Sequence, residues 1–345
     1  MTEKSFRPPS LPGLGSVRRR QVVADPAEAV TCKLLNGAAP AVIQPRTADL
    51  DLAAWAASAR ELVAGWFAEH RALLFRGFPI SDIHQFQRLV EATSVGEPLE
   101  YKDRSTPRPR VGEGVYVSTV YPSERTIALH NEGTYWTSFP QKIYFGALQV
   151  ADTGGETPIA DVRRVPDHLP MGVRKRFDDL GVLYVRNYND GLGLPWEEVF
   201  QTSDRSEVEA YCESHDIEYE WKGEDRLRTR QRRPALRQHP ETGEAIWFNH
   251  AAFFHVSSLE PEMRQTLLDD LGEEGLPYNT YYGDGSVIEP EVAEIIRRAY
   301  RQETVAFPWQ PGDVMLLDNL CFAHGRRPYT GERQVVVAMM EPVAG

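Results

Sequence analysis

Two residues with metal-binding side chains stand two positions apart in the segment IALHNEGTYW, residues 127–136. Side chains at positions i and i+2 of a β-strand project from the same face of the sheet. His130 and Glu132 are therefore predicted to point in one direction, with Asn131 turned away. Alone, the triplet is weak evidence, because a single histidine is more often a core or solvated side chain than a ligand.

A third candidate ligand, His324, follows the apolar run DVMLLDN near the C-terminus. Two histidines and one carboxylate leave three positions open on an octahedral iron(II) ion, as in non-haem iron oxygenases. A chelating 2-oxo acid would take two of these positions and dioxygen the third. His250 and His255 are five residues apart, which fits neither one face of a strand nor adjacent helical turns. We expect the remaining histidines to be structural or exposed: His70, His84, His168, His215 and His239.

Short strand-like runs, separated by Gly, Pro, Ser and Thr, must position these side chains. Many short strands of this kind are typical of a β-sandwich or jelly roll. No glycine-rich nucleotide-binding fingerprint follows a strand, which disfavours a doubly wound fold. The predicted strands lie at 72–78, 115–121, 127–130, 142–150, 157–162, 244–250, 303–309, 313–319 and 333–340.

Helices are expected to decorate these strands. The hydrophobic periodicity predicts an amphipathic helix within 52–70, and a second over about 81–93 with Ser81 as its N-cap. Two further helices are predicted near 260–272 and 289–301.

The chain is predicted to form a single domain spanning residues 1–345, with residues 1–20 as a flexible lead-in. The charged stretch from about 165 to 235 has a mixed helical and loop-like texture and interrupts the strand pattern. It is interpreted as an insertion, either a lid or pocket wall that contacts substrate or a surface excursion.

Composition excludes several classes of function. The net charge of −12, from 38 basic and 50 acidic residues, argues against general nucleic-acid binding and against docking on an anionic membrane. No run approaches the length of a transmembrane segment. Three cysteines without CxxC spacing fit a reducing compartment, so we predict a cytoplasmic protein: Cys32, Cys212 and Cys321.

Five ordered stretches carry a family resemblance. They are STPRPRV at 105–111, HNEGTYW at 130–136, GGETPIAD at 154–161, HPETGEAIWFN at 239–249 and DNLCFAHGRRPYTGER at 318–333. Over about residues 70–341 the sequence resembles the taurine dioxygenase/TfdA superfamily of iron(II), 2-oxoglutarate oxygenases, especially its clavaminate synthase-like and SyrP-like branch. The resemblance implies a mainly β double-stranded β-helix, or jelly roll, with helical decoration.

The resemblance implies that His130, Glu132 and His324 hold iron(II), with 2-oxoglutarate and dioxygen as co-substrates. Halogenating relatives lack the carboxylate, so Glu132 favours hydroxylation of an unactivated C–H bond. Desaturation or ring closure stay open, because they begin with the same steps. No catalytic side chain beyond the iron centre is expected.

Arg333, nine residues after His324, matches the arginine that binds the distal carboxylate of 2-oxoglutarate. A guanidinium suits this role because its fork donates two parallel hydrogen bonds to a carboxylate. Thr157 matches a threonine that contacts the same molecule. Arg326 and Arg327 are rivals of Arg333, and surface loop charge is their other interpretation.

The resemblance further implies a small-molecule substrate: an amino acid or its derivative, free or tethered to a peptidyl carrier protein, in secondary metabolism. Four residues near the metal motif are candidates for the substrate pocket, although each could equally serve packing: Ser118, Asn131, Tyr135 and Trp136.

Two other functions compete with the oxygenase. A jelly-roll protein can bind a metal or ligand without turnover. A zinc hydrolase could use the same three ligands, but it would leave Arg333 and Thr157 without a role and lacks a placed general base.

Overall fold

The computed structural model describes residues 25–99, 103, 109–118, 121–189 and 192–344. The predicted lead-in and residues 105–108 of the STPRPRV stretch lie outside the described residues. The described residues form eight α-helices: α1 (Leu52–Ser58), α2 (Arg60–His70), α3 (Ile83–Thr93), α4 (Met171–Leu180), α5 (Trp196–Phe200), α6 (Arg205–Ser214), α7 (Pro261–Leu271) and α8 (Pro290–Gln302). They also form twenty strands: β1 (Val30–Leu35), β2 (Ala38–Pro45), β3 (Ala72–Phe75), β4 (Arg110–Gly112), β5 (Val115–Val117), β6 (Ile127–His130), β7 (Ser138–Gln149), β8 (Thr153–Gly154), β9 (Ile159–Asp161), β10 (Val182–Tyr188), β11 (Glu218–Lys222), β12 (Arg226–Arg233), β13 (Leu236–Gln238), β14 (Ala245–Trp247), β15 (Tyr278–Tyr282), β16 (Thr304–Val305), β17 (Val314–Asp318), β18 (Phe322–Arg326), β19 (Tyr329–Thr330) and β20 (Gln334–Ala344).

The larger sheet has eight strands in the order β1-β2-β3-β17-β7-β20-β5-β4. Strand β17 near its centre is buried at every position. Val314 and Leu316 pack with the residues of α1, α2 and α3. Met315 and Leu317 pack with the opposite sheet. Both faces of the strand are therefore covered, which explains its continuous apolar sequence.

The opposite sheet has four strands in the order β16-β9-β18-β6. It packs on the larger sheet through β18, where Phe322 and Ala323 belong to the core that also contains Met315 and Leu317. The two sheets are antiparallel except for the parallel pair of β2 and β3, and stacked in this way they form the predicted double-stranded β-helix.

Several element boundaries differ from the sequence-based expectations. The helix predicted within 52–70 is two helices, α1 and α2, because the helical conformation is interrupted at Ala59. Helix α3 is capped by Asp82 rather than Ser81, since the Asp82 carboxylate accepts a hydrogen bond of 2.8 Å from the Gln85 N–H. The strand predicted at 303–309 is only the two-residue β16.

The stretch from 165 to 235 contains more strand than its sequence indicated. Strands β10, β11 and β12 join β15 in a separate four-stranded sheet. Its strand β12 has the sequence RLRTRQRR, so it lacks the apolar alternation that marks a half-buried strand. A small core of its own supports this region: Tyr188, Trp196, Val199, Phe200, Val208, Cys212, Ile217 and Leu227.

In the described part of the chain, no helix combines the length and apolar character needed to cross a membrane.

Candidate metal centre

Strands β6 and β18 place two histidines next to each other. The strands pair antiparallel with His130 opposite His324, and the two imidazole centroids lie 4.6 Å apart. Phe145 of β7 packs on His324 from the larger sheet, with ring centroids 4.9 Å apart. Both histidines therefore lie between the two sheets.

The third candidate ligand, Glu132, lies in a turn that follows β6. Strand β6 ends at His130, so the predicted strand alternation through Glu132 is wrong. Asn131 does turn away, and its amide donates a hydrogen bond of 2.6 Å to the Asn319 carbonyl. One ligand atom from each of His130, Glu132 and His324 lies within 4.8 Å of the other two. The three predicted ligands are thus brought together, in a spacing that fits a single ion.

One hydrogen bond of His130 indicates which of its nitrogens carries the proton. Its Nδ1 lies 2.9 Å from the Ala128 carbonyl oxygen. Because a carbonyl can only accept, Nδ1 carries the proton and Nε2 carries the lone pair. Phe253 stacks on the imidazole with centroids 4.7 Å apart and an interplanar angle of 25°, which fixes the ring orientation.

Arg333 and Thr157 meet beside the histidines. The Arg333 guanidinium donates hydrogen bonds to the Thr157 hydroxyl (3.4 Å), the Gly155 carbonyl (3.0 Å) and the Ser118 hydroxyl (3.5 Å). Burial lowers the pKa of Arg333 to about 10, so the side chain is still a cation at neutral pH. These partners, among the described residues, include no carboxylate. A partly buried cation of this kind is complementary to the carboxylate of a ligand.

The glycine pair of the GGET motif makes room for this arrangement. Gly154 has a φ of +68°, and a Cβ atom there would lie 2.2 Å from the Pro328 carbonyl oxygen. Only glycine tolerates both conditions. The turn brings the Gly155 carbonyl to the Arg333 Nε and starts the segment that carries Thr157.

The two rival arginines are placed differently. The Arg326 guanidinium donates to three backbone carbonyls, those of Tyr121 (2.9 Å), Pro122 (2.5 Å) and Arg125 (2.8 Å). It therefore anchors the loop before β6, although it also borders the cavity next to His324. Arg327 is exposed. The geometry favours Arg333 for the carboxylate role.

Comparison with known proteins decides the family. The family model "Taurine catabolism dioxygenase TauD, TfdA family" matches residues 36–340. The chain belongs to the TauD/TfdA family. This membership confirms the predicted enzyme class, an iron(II), 2-oxoglutarate-dependent dioxygenase, and its co-substrates 2-oxoglutarate and dioxygen.

Two relatives and one solved structure illustrate the relationship within the TauD/TfdA family. The dapdiamide synthesis protein DdaC of Enterobacter agglomerans is 45% identical over 276 residues, covering 80% of this chain and 84% of DdaC. A clavaminate synthase-like protein of Arabidopsis thaliana is 28% identical over 87% of this chain and 93% of its own. The crystal structure of PvcB from Pseudomonas aeruginosa has a TM-score of 0.54 at 16% identity, covering 92% of this chain and 91% of PvcB. That last likeness concerns the fold and agrees with the predicted jelly roll.

A cavity of about 190 Å³ borders His130 and Glu132 in this TauD/TfdA chain. Its walls are mainly aromatic, and two hydroxyl side chains, of Thr126 and Ser258, also line it. The aromatic and imidazole side chains that form it, besides His130, are Tyr121, Tyr135, His250, Phe253, Phe254 and Tyr278.

Of the four predicted pocket residues, only Tyr135 lines this cavity. Ser118 lies in the neighbouring cavity with Arg333 and Thr157. Asn131 is fully buried and bonded to Asn319. The Trp136 indole donates to the Asp103 carbonyl at 3.1 Å and borders a different cavity. Asn131 and Trp136 therefore do not line this cavity, and their hydrogen bonds agree with the packing role that was the alternative interpretation.

The wall that faces the ligands comes from 250–259 and Tyr278, and the described residues of 165–235 do not line the cavity. That stretch packs behind the residues that form the cavity wall. The Tyr184 hydroxyl of β10 accepts a hydrogen bond of 2.9 Å from the His250 N–H, and its ring lies 5.8 Å from that of Tyr135. The insertion thus supports the wall instead of forming it.

A second group with ligand-type side chains, His239, Asp318 and Cys321, is fully buried. Both nitrogens of His239 are engaged: Nδ1 accepts from the Glu241 N–H at 3.2 Å, and Nε2 donates to Asp318 at 2.8 Å. Burial raises the pKa of the Cys321 thiol, which keeps it protonated and a poor ligand. This cluster is a structural hydrogen-bond network, in agreement with the structural role expected for His239.

Proposed function

We propose that this TauD/TfdA protein binds iron(II) through His130, Glu132 and His324 and hydroxylates an unactivated C–H bond of an amino acid or amino-acid-derived substrate. The observation that carries the proposal is the convergence of the three ligand atoms within 4.8 Å, between a cavity that reaches Arg333 and an aromatic cavity. One cavity suits the co-substrate and the other suits the substrate.

The residues present fit the implied metal and co-substrate. The fixed tautomer of His130 offers Nε2, and Glu132 supplies the negative charge that a divalent ion prefers. Arg333 and Thr157 would hold the distal carboxylate of 2-oxoglutarate. Iron(II), when bound with 2-oxoglutarate and dioxygen, supplies the oxidising power for C–H attack. The protein contributes orientation and a site from which the aromatic wall excludes water.

Glu132 supports hydroxylation over halogenation, since its carboxylate occupies the position that halogenating relatives leave for chloride. Similarity to DdaC, named for dapdiamide synthesis, supports a role in secondary metabolism. Product analysis separates hydroxylation from desaturation or ring closure, which use the same cofactors.

We also propose that the substrate is presented on a carrier protein. A second cavity of about 540 Å³ adjoins the aromatic cavity, and five residues line both: Thr126, Ile127, Ala128, Phe253 and Ser258. Three arginines border it, Arg297, Arg301 and Arg327. Its size and positive charge support an extended, anionic tether reaching towards the metal. Comparing turnover of one aminoacyl group as the free acid and as a carrier thioester tests this; faster turnover of the free acid would contradict it.

The enzyme assignment is tested by adding iron(II) and 2-oxoglutarate without oxygen and recording the visible spectrum. A weak charge-transfer band is expected, followed by succinate formation when oxygen and a panel of amino-acid substrates are added. Absence of both the band and succinate would contradict the proposal and favour a metal-binding protein without turnover. Hydrolytic activity that persists without oxygen would favour a zinc hydrolase.

A further inference from the structure

The side-chain carboxamide of Asn319 holds the turn that presents Glu132. The Oδ1 of Asn319 accepts a hydrogen bond of 2.7 Å from the Glu132 N–H. Its Nδ2 donates to the Glu132 carbonyl and to the Pro140 carbonyl, both at 2.9 Å. Asn319 is fully buried, so these bonds are shielded from water. Because β6 has already ended, this side chain replaces the ladder partner that a strand residue would have.

His250 binds the peptide group between Asn131 and Glu132, the same group whose N–H donates to Asn319. Its Nε2 lies 2.7 Å from the Asn131 carbonyl oxygen, and since a carbonyl can only accept, Nε2 is the donor. The Asn131 amide in turn donates to the Asn319 carbonyl at 2.6 Å. The peptide groups before and after the Glu132 Cα are therefore both tied to segments more than 100 residues away.

We propose that Asn319 and His250 are positioning residues that set where the Glu132 carboxylate lies relative to His130 and His324. These hydrogen bonds fix the backbone of Glu132 on both sides of its Cα and so set the direction in which its side chain leaves the turn. Asn319 also precedes His324 by five residues in the β17–β18 connection. One short connection thus fixes two ligands relative to each other. The inference rests on the proposed role of Glu132 as a metal ligand.

The residue types explain why substitution should matter. A carboxamide offers both an acceptor and two donors. Asn319→Asp keeps the acceptor for the Glu132 N–H but removes both donors, which leaves two buried carbonyls unpaired. His250→Phe keeps an aromatic ring among Phe253 and Phe254 but removes the donor to the turn. His250→Gln restores a donor.

The test measures iron(II) affinity by anaerobic titration, together with the electron paramagnetic resonance spectrum of the nitric oxide adduct with 2-oxoglutarate. Substitution of residues that orient metal ligands typically weakens metal binding roughly 10- to 100-fold. We expect a loss in that range for Asn319→Asp and His250→Phe, with an altered spectrum, and recovery of most of the affinity in His250→Gln.

Matched controls separate positioning from general damage. The buried Asn187 amide donates to the carbonyls of Glu274 (3.0 Å) and Leu276 (2.7 Å), and the buried His255 Nε2 lies 2.9 Å from the Ile288 carbonyl. Asn187→Asp and His255→Phe should leave iron(II) affinity and spectrum unchanged.

Wild-type affinity and spectrum in both His250→Phe and a folded Asn319→Asp would overturn the inference. If Asn319→Asp does not fold, His250→Phe decides the question alone. A wild-type protein that binds no iron(II) would instead overturn the proposed function, and the inference with it.

Discussion

His130 and His324 stand opposite each other in the ladder between β6 and β18, with imidazole centroids 4.6 Å apart. Backbone hydrogen bonds of the sheet therefore set the distance between these two side chains. Glu132 is held by a different device, the turn contacts of Asn319 and His250. Removing Glu132 should accordingly spare the fold and the histidine pair.

Glu132→Ala is expected to abolish substrate-dependent succinate formation while the protein stays folded. The variant loses the charged ligand but leaves the β6–β18 ladder intact. Succinate assays and thermal unfolding measure the two effects separately. Glu132→Gln, which preserves size, is the matched variant and should lose activity as well. Normal turnover in either variant would refute the ligand assignment.

Arg333→Ala should raise the concentration of 2-oxoglutarate needed for half-maximal activity. A hydrogen bond to a charged group contributes about 1.5–3 kcal/mol, which corresponds to roughly a 10- to 150-fold change in affinity. Steady-state kinetics with varied 2-oxoglutarate measure it. Arg327→Ala, which removes an exposed guanidinium, is the control and should leave the requirement unchanged. If Arg333→Ala leaves the 2-oxoglutarate requirement unchanged, Arg326 or Arg327 would instead be the residue that binds the distal carboxylate.

The clustering of His130, Glu132 and His324, with Arg333 beside them, could be predicted because their chemistry is visible in residue type and in the order of the motifs. The strand argument placed Glu132 beside His130, where the structure has it, but a turn and not a strand puts it there. Strand alternation and the observed turn both send Asn131 away from the site, and the sequence alone does not separate them.

Other features depend on contacts that span the chain. Asn319 lies 187 residues from Glu132, and the side chain of His250 reaches Asn131 across 119 residues. Spacing rules for ligands do not detect such partners. The sequence did contain a weak signal, because Asp318 and Asn319 directly follow the apolar residues of β17. Two polar side chains at such a position need hydrogen-bond partners inside the core. Strand β12 escaped prediction because arginines stand where apolar residues usually alternate.

His255 should make stability sensitive to acid. Its Nε2 lies 2.9 Å from the Ile288 carbonyl and its Nδ1 accepts from the Ser257 N–H at 3.1 Å, so the neutral form is fully bonded. Burial is the main cause that lowers the pKa of His255. As the pH falls, the imidazole therefore becomes protonated in the unfolded chain at a higher pH than in the folded protein. Below about pH 6.5 the free energy of unfolding then falls by at most about 1.4 kcal/mol per pH unit.

Denaturant unfolding across about pH 7 to 5 measures this effect, because the histidine of the unfolded chain titrates there. His255→Gln should flatten the pH dependence relative to wild type. His84→Gln, at an exposed position, is the control and should not alter it. An identical slope in His255→Gln and wild type would show that other groups cause the acid sensitivity.

His239→Ala should destabilise the connection that leads to His324. The fully buried Asp318 carboxylate accepts from His239 (2.8 Å), from Arg71 (3.3 Å) and from the Leu320 N–H (3.0 Å). Losing one donor to a buried carboxylate costs about 1–3 kcal/mol of unfolding free energy, measurable by urea denaturation. His168→Ala is the control. In the wild-type protein the His168 imidazole pairs with Glu303 nearer the surface, so a loss below about 1 kcal/mol of unfolding free energy is expected for this variant. Equal losses in the two variants would mean that Arg71 and the backbone satisfy Asp318 without His239.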